Sequence, residues 1–245
     1  GAVIWVYLCT HLGLPISVSH SLIGGLIGAG LIEGGKAALI MAGILKIALF
    51  IILSPIVGMI LGYLLMILIL HLFKNVSPRR VDKYFRVLQL VSSAIFSLGH
   101  GSNDAQKTMG IISILLFSAG MLGTEFYVPT WVIIASYSAI SFGTLAGGWK
   151  VIKTLGVGLT DLKPVGGFCA ETGGAITVIG SSIFGIPVST THTVTGSIMG
   201  VGMSKRLSAV RWGVASNIVV AWVLTIPAAM LVSAFVYYLV KISFM

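Results

Sequence analysis

Charge is what this chain has least of. Six acidic and fifteen basic residues stand among 245, which is 9% of the chain against 57% hydrophobic. So few charges cannot keep a water-facing surface solvated. Together with a mean hydropathy of +1.07, this excludes a soluble domain and implies an integral membrane protein. Cysteine is nearly absent too. Cys9 and Cys169 each lie in an apolar segment without a second ligand at metal-binding spacing, so two small buried thiols are expected, and neither a disulfide nor a metal site. The net charge of +9 does not gather into one basic face. Lys and Arg sit in short loops between apolar runs, which excludes nucleic acid as a partner and fits positive-inside topology. The chain opens at Gly1 without a Met or a signal-peptide pattern, and its first residues already read as helix, so a fragment is expected.

Apolar runs cover 3–9, 37–73, 87–98, 131–146, 165–184 and 212–240. Several are long enough to cross a core about 30 Å thick. The fold class expected is an all-α integral membrane protein, a polytopic helical bundle in the cell membrane.

Against that background the segment 99–107, Gly-His-Gly-Ser-Asn-Asp-Ala-Gln-Lys, places an acid, amides and a base inside a membrane-length apolar stretch. An Asp or Lys at a helix centre costs roughly 2.5–3.5 kcal/mol even on mild insertion scales, so it needs a partner or an ion. The segment is expected to form a polar loop or break. Asp104 offers a hard carboxylate, with Ser102, Asn103 and nearby carbonyls as neutral oxygen donors, a set suited to a small alkali cation or to a proton. A purely structural pair of Asp104 with Lys107, spaced i,i+3, is the plainer alternative. Glu171, the other acid in an apolar span, has the same two readings.

An internal repeat organises the rest. Gly13-Leu14-Pro15-Ile16-Ser17-Val18-Ser19-His20 returns as Gly185-Ile186-Pro187-Val188-Ser189-Thr190-Thr191-His192, an offset of 185 − 13 = 172. Gly24, Gly28 and Gly30 match Gly196, Gly200 and Gly202, and Pro55 matches Pro227. A duplication predicts a division into 1–73, the C-terminal part of a first repeat; 74–86, a basic cytoplasmic loop; and 87–245, a second repeat. It also predicts roughly 85 further residues upstream, holding a second Gly-x-Asn-Asp-like loop. Lys74, Arg79, Arg80, Lys83 and Arg86 follow the long run of the first copy, whereas Lys205, Arg206 and Arg211 precede that of the second. Equivalent runs therefore cross in opposite directions, an inverted-topology repeat of the kind that places a site near the midplane. The loop at Lys150, Lys153 and Lys163 also reads as cytoplasmic. The chain between it and Lys205 must then return to its starting side, by two full crossings or one re-entrant hairpin, and the polar Gly-x-Pro-x-Ser-x-x-His tip of small residues favours the hairpin.

Ser189, Thr190 and Thr191 follow Pro187 at the start of an arm, where free backbone N–H groups, the positive helix end and three hydroxyls suit a tetrahedral oxyanion. Ordinary N-capping is the competing use of the same residues, and the recurrence of the cradle at Ser17 and Ser19 favours the anion. His192 and His20, just past the tips, either contact substrate or orient the tip. His100 is a weaker candidate, His11 and His71 look interfacial, Lys46 snorkels, and Gly24 to Gly30 serve close helix packing.

These residues resemble the inorganic phosphate transporter (PiT) family: Gly101-Ser102-Asn103-Asp104-Ala105 with Gln106-Lys107 matches its signature, and Pro187-Val188-Ser189-Thr190-Thr191-His192 its hairpin motif. Gly147-Gly148-Trp149-Lys150 and Val210-Arg211-Trp212-Gly213 are similar to bacterial members. The resemblance covers the end of the first half and the whole second half. It implies cation-coupled phosphate transport, with Ser189, Thr190, Thr191, Ser17 and Ser19 on phosphate and Asn103 and Asp104 on the coupling ion, Na⁺ or H⁺. Val18 stands where the family motif has threonine, so one hydroxyl is lost while the backbone N–H groups remain. No metal or organic cofactor is expected. The partners expected are inorganic phosphate, the lipid bilayer, the upstream half-repeat and, as an open alternative, a second copy of the chain in a homodimer. Sulfate or a metal-phosphate complex are alternative cargoes. A passive anion channel and an intramembrane hydrolase built on Ser189 with His192, or on Asp104, are alternatives of another class; the hydrolase lacks an orienting carboxylate or a second Asp.

Overall fold

The computed structural model describes residues 1–243. Among them there are nine α-helices and no strand: α1 (Ala2–Leu12), α2 (Val18–Gly34), α3 (Met41–Leu72), α4 (Pro78–Ser118), α5 (Thr130–Ala146), α6 (Trp149–Lys153), α7 (Pro164–Ile183), α8 (Thr190–Lys205) and α9 (Trp212–Ser243). Helix is what an apolar solvent demands, because every backbone N–H and C=O must find its partner within the segment. The 32-residue helices α3 and α9 are apolar all round and long enough to span a membrane. Helix α5 meets the short run Trp149–Leu159 at a 65° bend across Gly147-Gly148, and the two together are long and apolar enough for one broken span.

The segment 99–107 differs from its expected form. It is not a loop but the middle of α4, a continuous helix of 41 residues. The helix survives because its polar side chains pair at helical spacing, His100 and Lys107 reaching Asp104 from i−4 and i+3, so none has to unwind the backbone to find a partner.

Glycine decides how the helices meet. A Cβ on Gly58 or Gly62 of α3 would strike the Thr193 or Ser197 carbonyl of α8, and a Cβ on Gly196 or Gly200 of α8 would strike the Pro55 or Met59 carbonyl of α3. The two helices thus mesh through small residues four apart on both sides, the close approach that drives association in lipid. Helix α2 lies on α9 in the same manner, Gly24 against the Ile226 carbonyl and Gly28 against that of Met230. The arm of each repeated segment therefore packs on the proline-bearing helix of the other. Behind α8, Met66, Cys169, Val201, Ile218 and Trp222 form the main core, and Cys9 and Cys169 are buried free thiols.

Helices α7 and α8 run antiparallel: Gly173 meets Ser197, and Gly166 meets Val201. Their connection, 184–189, is the second Ser/Thr tip. The basic ends gather on one side. Lys163 shares a cavity with Lys74 and Arg79, Lys205 Nζ donates to the Asp161 carbonyl at 3.0 Å, and Arg211 Nη1 donates to that of Val157 at 2.6 Å. Glu33 pairs with Lys241 at 2.8 Å and accepts from the Tyr237 hydroxyl at 2.8 Å, tying the ends of α2 and α9 together. Lys150 departs from its expected place. It is not in a loop with Lys163 but at the end of α1, where its Nζ donates to the His11 carbonyl at 2.8 Å, because the chain from Trp149 is helical and carries it away from Lys163.

Candidate functional site: two helix tips around Asp104

The two repeated octapeptides fold alike. Ser17 (φ −91°, ψ 115°) caps α2, its Oγ accepting from the His20 N–H at 3.2 Å, and Ser189 (φ −91°, ψ 118°) caps α8, its Oγ accepting from the His192 N–H at 3.2 Å. One turn on, Ser21 and Thr193 donate to the Ser17 and Ser189 carbonyls at 3.0 and 2.8 Å. The capping use of Ser17 and Ser189, the competing use of these residues, is thus present in the structure. Both hydroxyls accept a capping bond, and the two residues are only 2% and 1% exposed.

The two tips meet on Asp104. Its Oδ1 accepts from the Ser19 hydroxyl of the first tip at 3.4 Å and its Oδ2 from the Thr190 hydroxyl of the second at 3.0 Å. His100 Nε2 lies 3.0 Å from Oδ2 and Lys107 Nζ 2.9 Å from Oδ1. Lys107 is the busiest group of the site. Its ammonium donates to Ser19 Oγ at 2.7 Å, Asn103 Oδ1 at 2.5 Å, Asp104 Oδ1, and the Val188 carbonyl at 3.3 Å. Four oxygens from α2, α4 and the second tip thus surround one positive charge. Asn103 turns its amide nitrogen to Ser182 Oγ at 2.8 Å, fastening α4 to α7. Thr191, half-buried between these engaged residues, makes no side-chain hydrogen bond among the described residues.

Not every candidate joins this cluster. Ser102 points elsewhere on α4, where Gln106 Nε2 reaches its Oγ at 3.5 Å. Glu171 forms a separate site: its Oε2 accepts from the Ser92 hydroxyl at 2.6 Å, and Ser92 is 104 − 92 = 12 residues, about 18 Å, along α4 from Asp104. Ser102 and Glu171, the other two coupling-ion candidates, therefore do not share the Asp104 cluster. Hydropathy marks an acid as unusual but not which helix face it occupies.

His20 and His192 sit behind the tips. Their rings meet edge to face at 4.8 Å, and His192 stacks on Trp222 at 3.9 Å. Both are buried. Neither nitrogen of His192 makes a hydrogen bond of good geometry, though the Ile51 carbonyl is adjacent, and Pro55, having no N–H, cannot supply that carbonyl's helical bond. The Trp222 indole N–H donates to the Pro15 carbonyl at 2.9 Å, so one aromatic ring supports both tips.

Sequence reasoning missed the weight of Lys107 and His100. The signal was available, since they flank Asp104 at +3 and −4. Nothing local pointed to Ser182, the Val188 carbonyl or Trp222, which arrive from 79 to 207 residues away in the chain.

A lipid-solvated helical bundle that brings two helix N-termini to one carboxylate and one ammonium has the build of a membrane carrier. The comparisons with known proteins agree. The model of the phosphate transporter family (PHO4) matches residues 1–78 and 73–233, and the chain belongs to that family. It is a membrane-embedded phosphate-transporter protein of the plasma membrane and not an enzyme. A probable low-affinity inorganic phosphate transporter of Rhizobium meliloti is 56% identical over 97% of this chain and 71% of its own length. One of the same description from Bacillus subtilis is 39% identical, over 99% and 73%. Among solved structures, the sodium-dependent phosphate transporter superposes with a TM-score of 0.87 at 25% identity, covering 98% of this chain and 77% of that one.

Proposed function

We propose that this chain carries inorganic phosphate by coupled transport, with the anion held between the two tips and the coupling cation at Asp104. The observation that carries the reading is that Asp104 accepts one hydrogen bond from each tip, so whatever neutralises this carboxylate acts on both halves of the anion cradle at once. Thr191 and the first-turn N–H groups of α2 and α8 are the donors for phosphate, joined by Ser19 once its single hydroxyl proton is released from Asp104 by the incoming cation. The oxygens that now surround the Lys107 ammonium, from Asp104, Asn103, Ser19 and Val188, are a ready shell for a small cation. A cation entering that shell displaces Lys107, and the freed ammonium turns to phosphate. Each ligand then raises the other's affinity, as linkage requires. Na⁺ is the ion favoured, because the similar solved transporter is described as sodium-dependent and the shell consists of hard neutral and anionic oxygens. In this reading His20 and His192 orient the tips without touching substrate, and Ser17 and Ser189 act through their caps.

The same reading takes 1–73 and 87–245 as parts of two inverted repeats joined by the basic stretch 74–86. Its support is the identical cap geometry at positions 172 apart and the crossed packing of α2 on α9 and α8 on α3. Helix α8, 16 residues or about 24 Å, is short for a 30 Å core, as a re-entrant arm should be.

The test is labelled-phosphate uptake into proteoliposomes under an inward Na⁺ gradient, a proton gradient or neither. Uptake should follow the Na⁺ gradient, and Asp104→Asn should lower it about ten- to a hundredfold, the worth of one charged hydrogen-bond set of about 1.5–3 kcal/mol. Uptake indifferent to both gradients would make the pathway a channel. Equal competition by sulfate, which cannot donate a hydrogen bond, would remove phosphate as the preferred cargo.

A further inference from the structure

Away from the tips, the turn between α3 and α4 and the start of α7 enclose a cavity of about 590 Å³. Its walls are apolar, with Ile69, Phe73 and Val165 among them, and Lys74, Arg79 and Lys163 stand around it. None of these three cations makes a side-chain hydrogen bond or ion pair among the described residues. The one acid in the lining, Asp82, is already paired with Arg86 at 3.5 Å. The cavity therefore carries three positive side chains against one acid, which is itself shared with Arg86, over an apolar floor. It lies where the apolar length of α3 ends, and Leu70 of its lining continues along α3 through the exposed side chains Ile67 and Tyr63, which lie on the same helix face at spacings of three and four residues.

We propose that this cavity binds an anionic phospholipid, with the headgroup phosphate between Lys74, Arg79 and Lys163 and the acyl chains along Ile69, Phe73 and the α3 face that carries Leu70 and Ile67. Charge alone would accept any phosphate. The wall decides for the lipid, because a free hydrated anion would have to sit against surface that offers it no donors, whereas a lipid covers that surface with its own chains. The site lies at the basic end of the bundle and shares no residue with the Asp104 cluster, so its fate and that of the transport reading are independent.

Native mass spectrometry of the protein in detergent, titrated with dioleoyl phosphatidylglycerol, dioleoyl phosphatidylcholine or inorganic phosphate, tests this. Phosphatidylglycerol should bind at least about tenfold more tightly than phosphatidylcholine. The triple variant Lys74→Gln/Arg79→Gln/Lys163→Gln should lose at least about tenfold of that affinity. The charge-matched control Arg80→Gln/Lys83→Gln/Lys153→Gln, outside the cavity, should stay within about twofold. Lys163→Gln alone, an exposed side chain without a partner, should lose about fivefold, which keeps the test valid if the triple variant misfolds. An equal loss in the control would show diffuse attraction and overturn the site. Equal binding of both lipids, or displacement of phosphatidylglycerol by inorganic phosphate at matching concentration, would overturn the lipid assignment.

Discussion

Position 18 and position 190 stand at the same place in the two tips, and they have different fates. Thr190 is buried and gives its hydroxyl to Asp104, while Val18 is 53% exposed and has no hydroxyl to give. Val18 carries no hydroxyl at the place where Thr190 donates to a carboxylate, so the two tips differ at this position in what they can offer Asp104. Thr190→Val removes one hydrogen bond to an ionised group, about 1.5–3 kcal/mol before solvent discounts it, and should raise the Na⁺ concentration for half-maximal phosphate uptake by about threefold or more. Val18→Thr should leave it within about twofold. Equal shifts would show that the bond to Asp104 has no part in cation binding.

Among the helices, the contact of α3 with α8 is the joint that sets the second tip in place. Gly200 has no room for a side chain, since its Cβ would meet the Met59 carbonyl, whereas a Cβ at Gly143 of α5 would meet nothing within 4 Å. Gly200→Ala should cost about 1–3 kcal/mol through forced separation of the two helices. Gly143→Ala should be neutral or stabilising by up to about 1 kcal/mol from helix propensity. Thermal unfolding in detergent reads both, and a Gly200→Ala protein as stable as the wild type would mean that α8 is not held by this mesh. The prolines belong to this scale too. Pro55 interrupts α3 beside His192, so helix, tip and histidine are one mechanical unit in which the freed Ile51 carbonyl faces the ring.

At the level of the whole molecule, charge and contact agree on sidedness. Lys74, Arg79 and Lys163 share one end with Lys205 and Arg211, and the Glu33–Lys241 pair joins the ends of α2 and α9. Excess Lys and Arg mark the cytoplasmic face. Single cysteines placed at Lys83 and Arg206 should react with a membrane-impermeant maleimide from the cytoplasmic side only, and one at Lys36 from the opposite side only. Cys9 and Cys169 are buried and should contribute little background. Labelling of Lys36→Cys and Lys83→Cys from the same side would contradict the inverted arrangement.

The membrane class and the helix runs were legible in the chain, as were the recurrence of the tip motif at 172 residues and the oddity of an acid at position 104, because each is a local pattern of hydropathy, spacing or residue type. Family motifs could be matched for the same reason. The sequence could not say that 99–107 stays helical, since that depends on whether its polar groups find partners without unwinding. Nor could it say which tip hydroxyls are free: Ser17 and Ser189 turn inward to cap their helices, whereas Thr190 and Ser19 meet an acid 86 and 85 residues away. Lys107 could be paired with Asp104 by spacing alone, but its bonds to Ser19 and the Val188 carbonyl exist only because the glycine meshes bring two distant helix ends to the same face of α4. Contact across the fold, which no local pattern encodes, turned a set of candidate residues into one charged centre and sent Glu171 elsewhere.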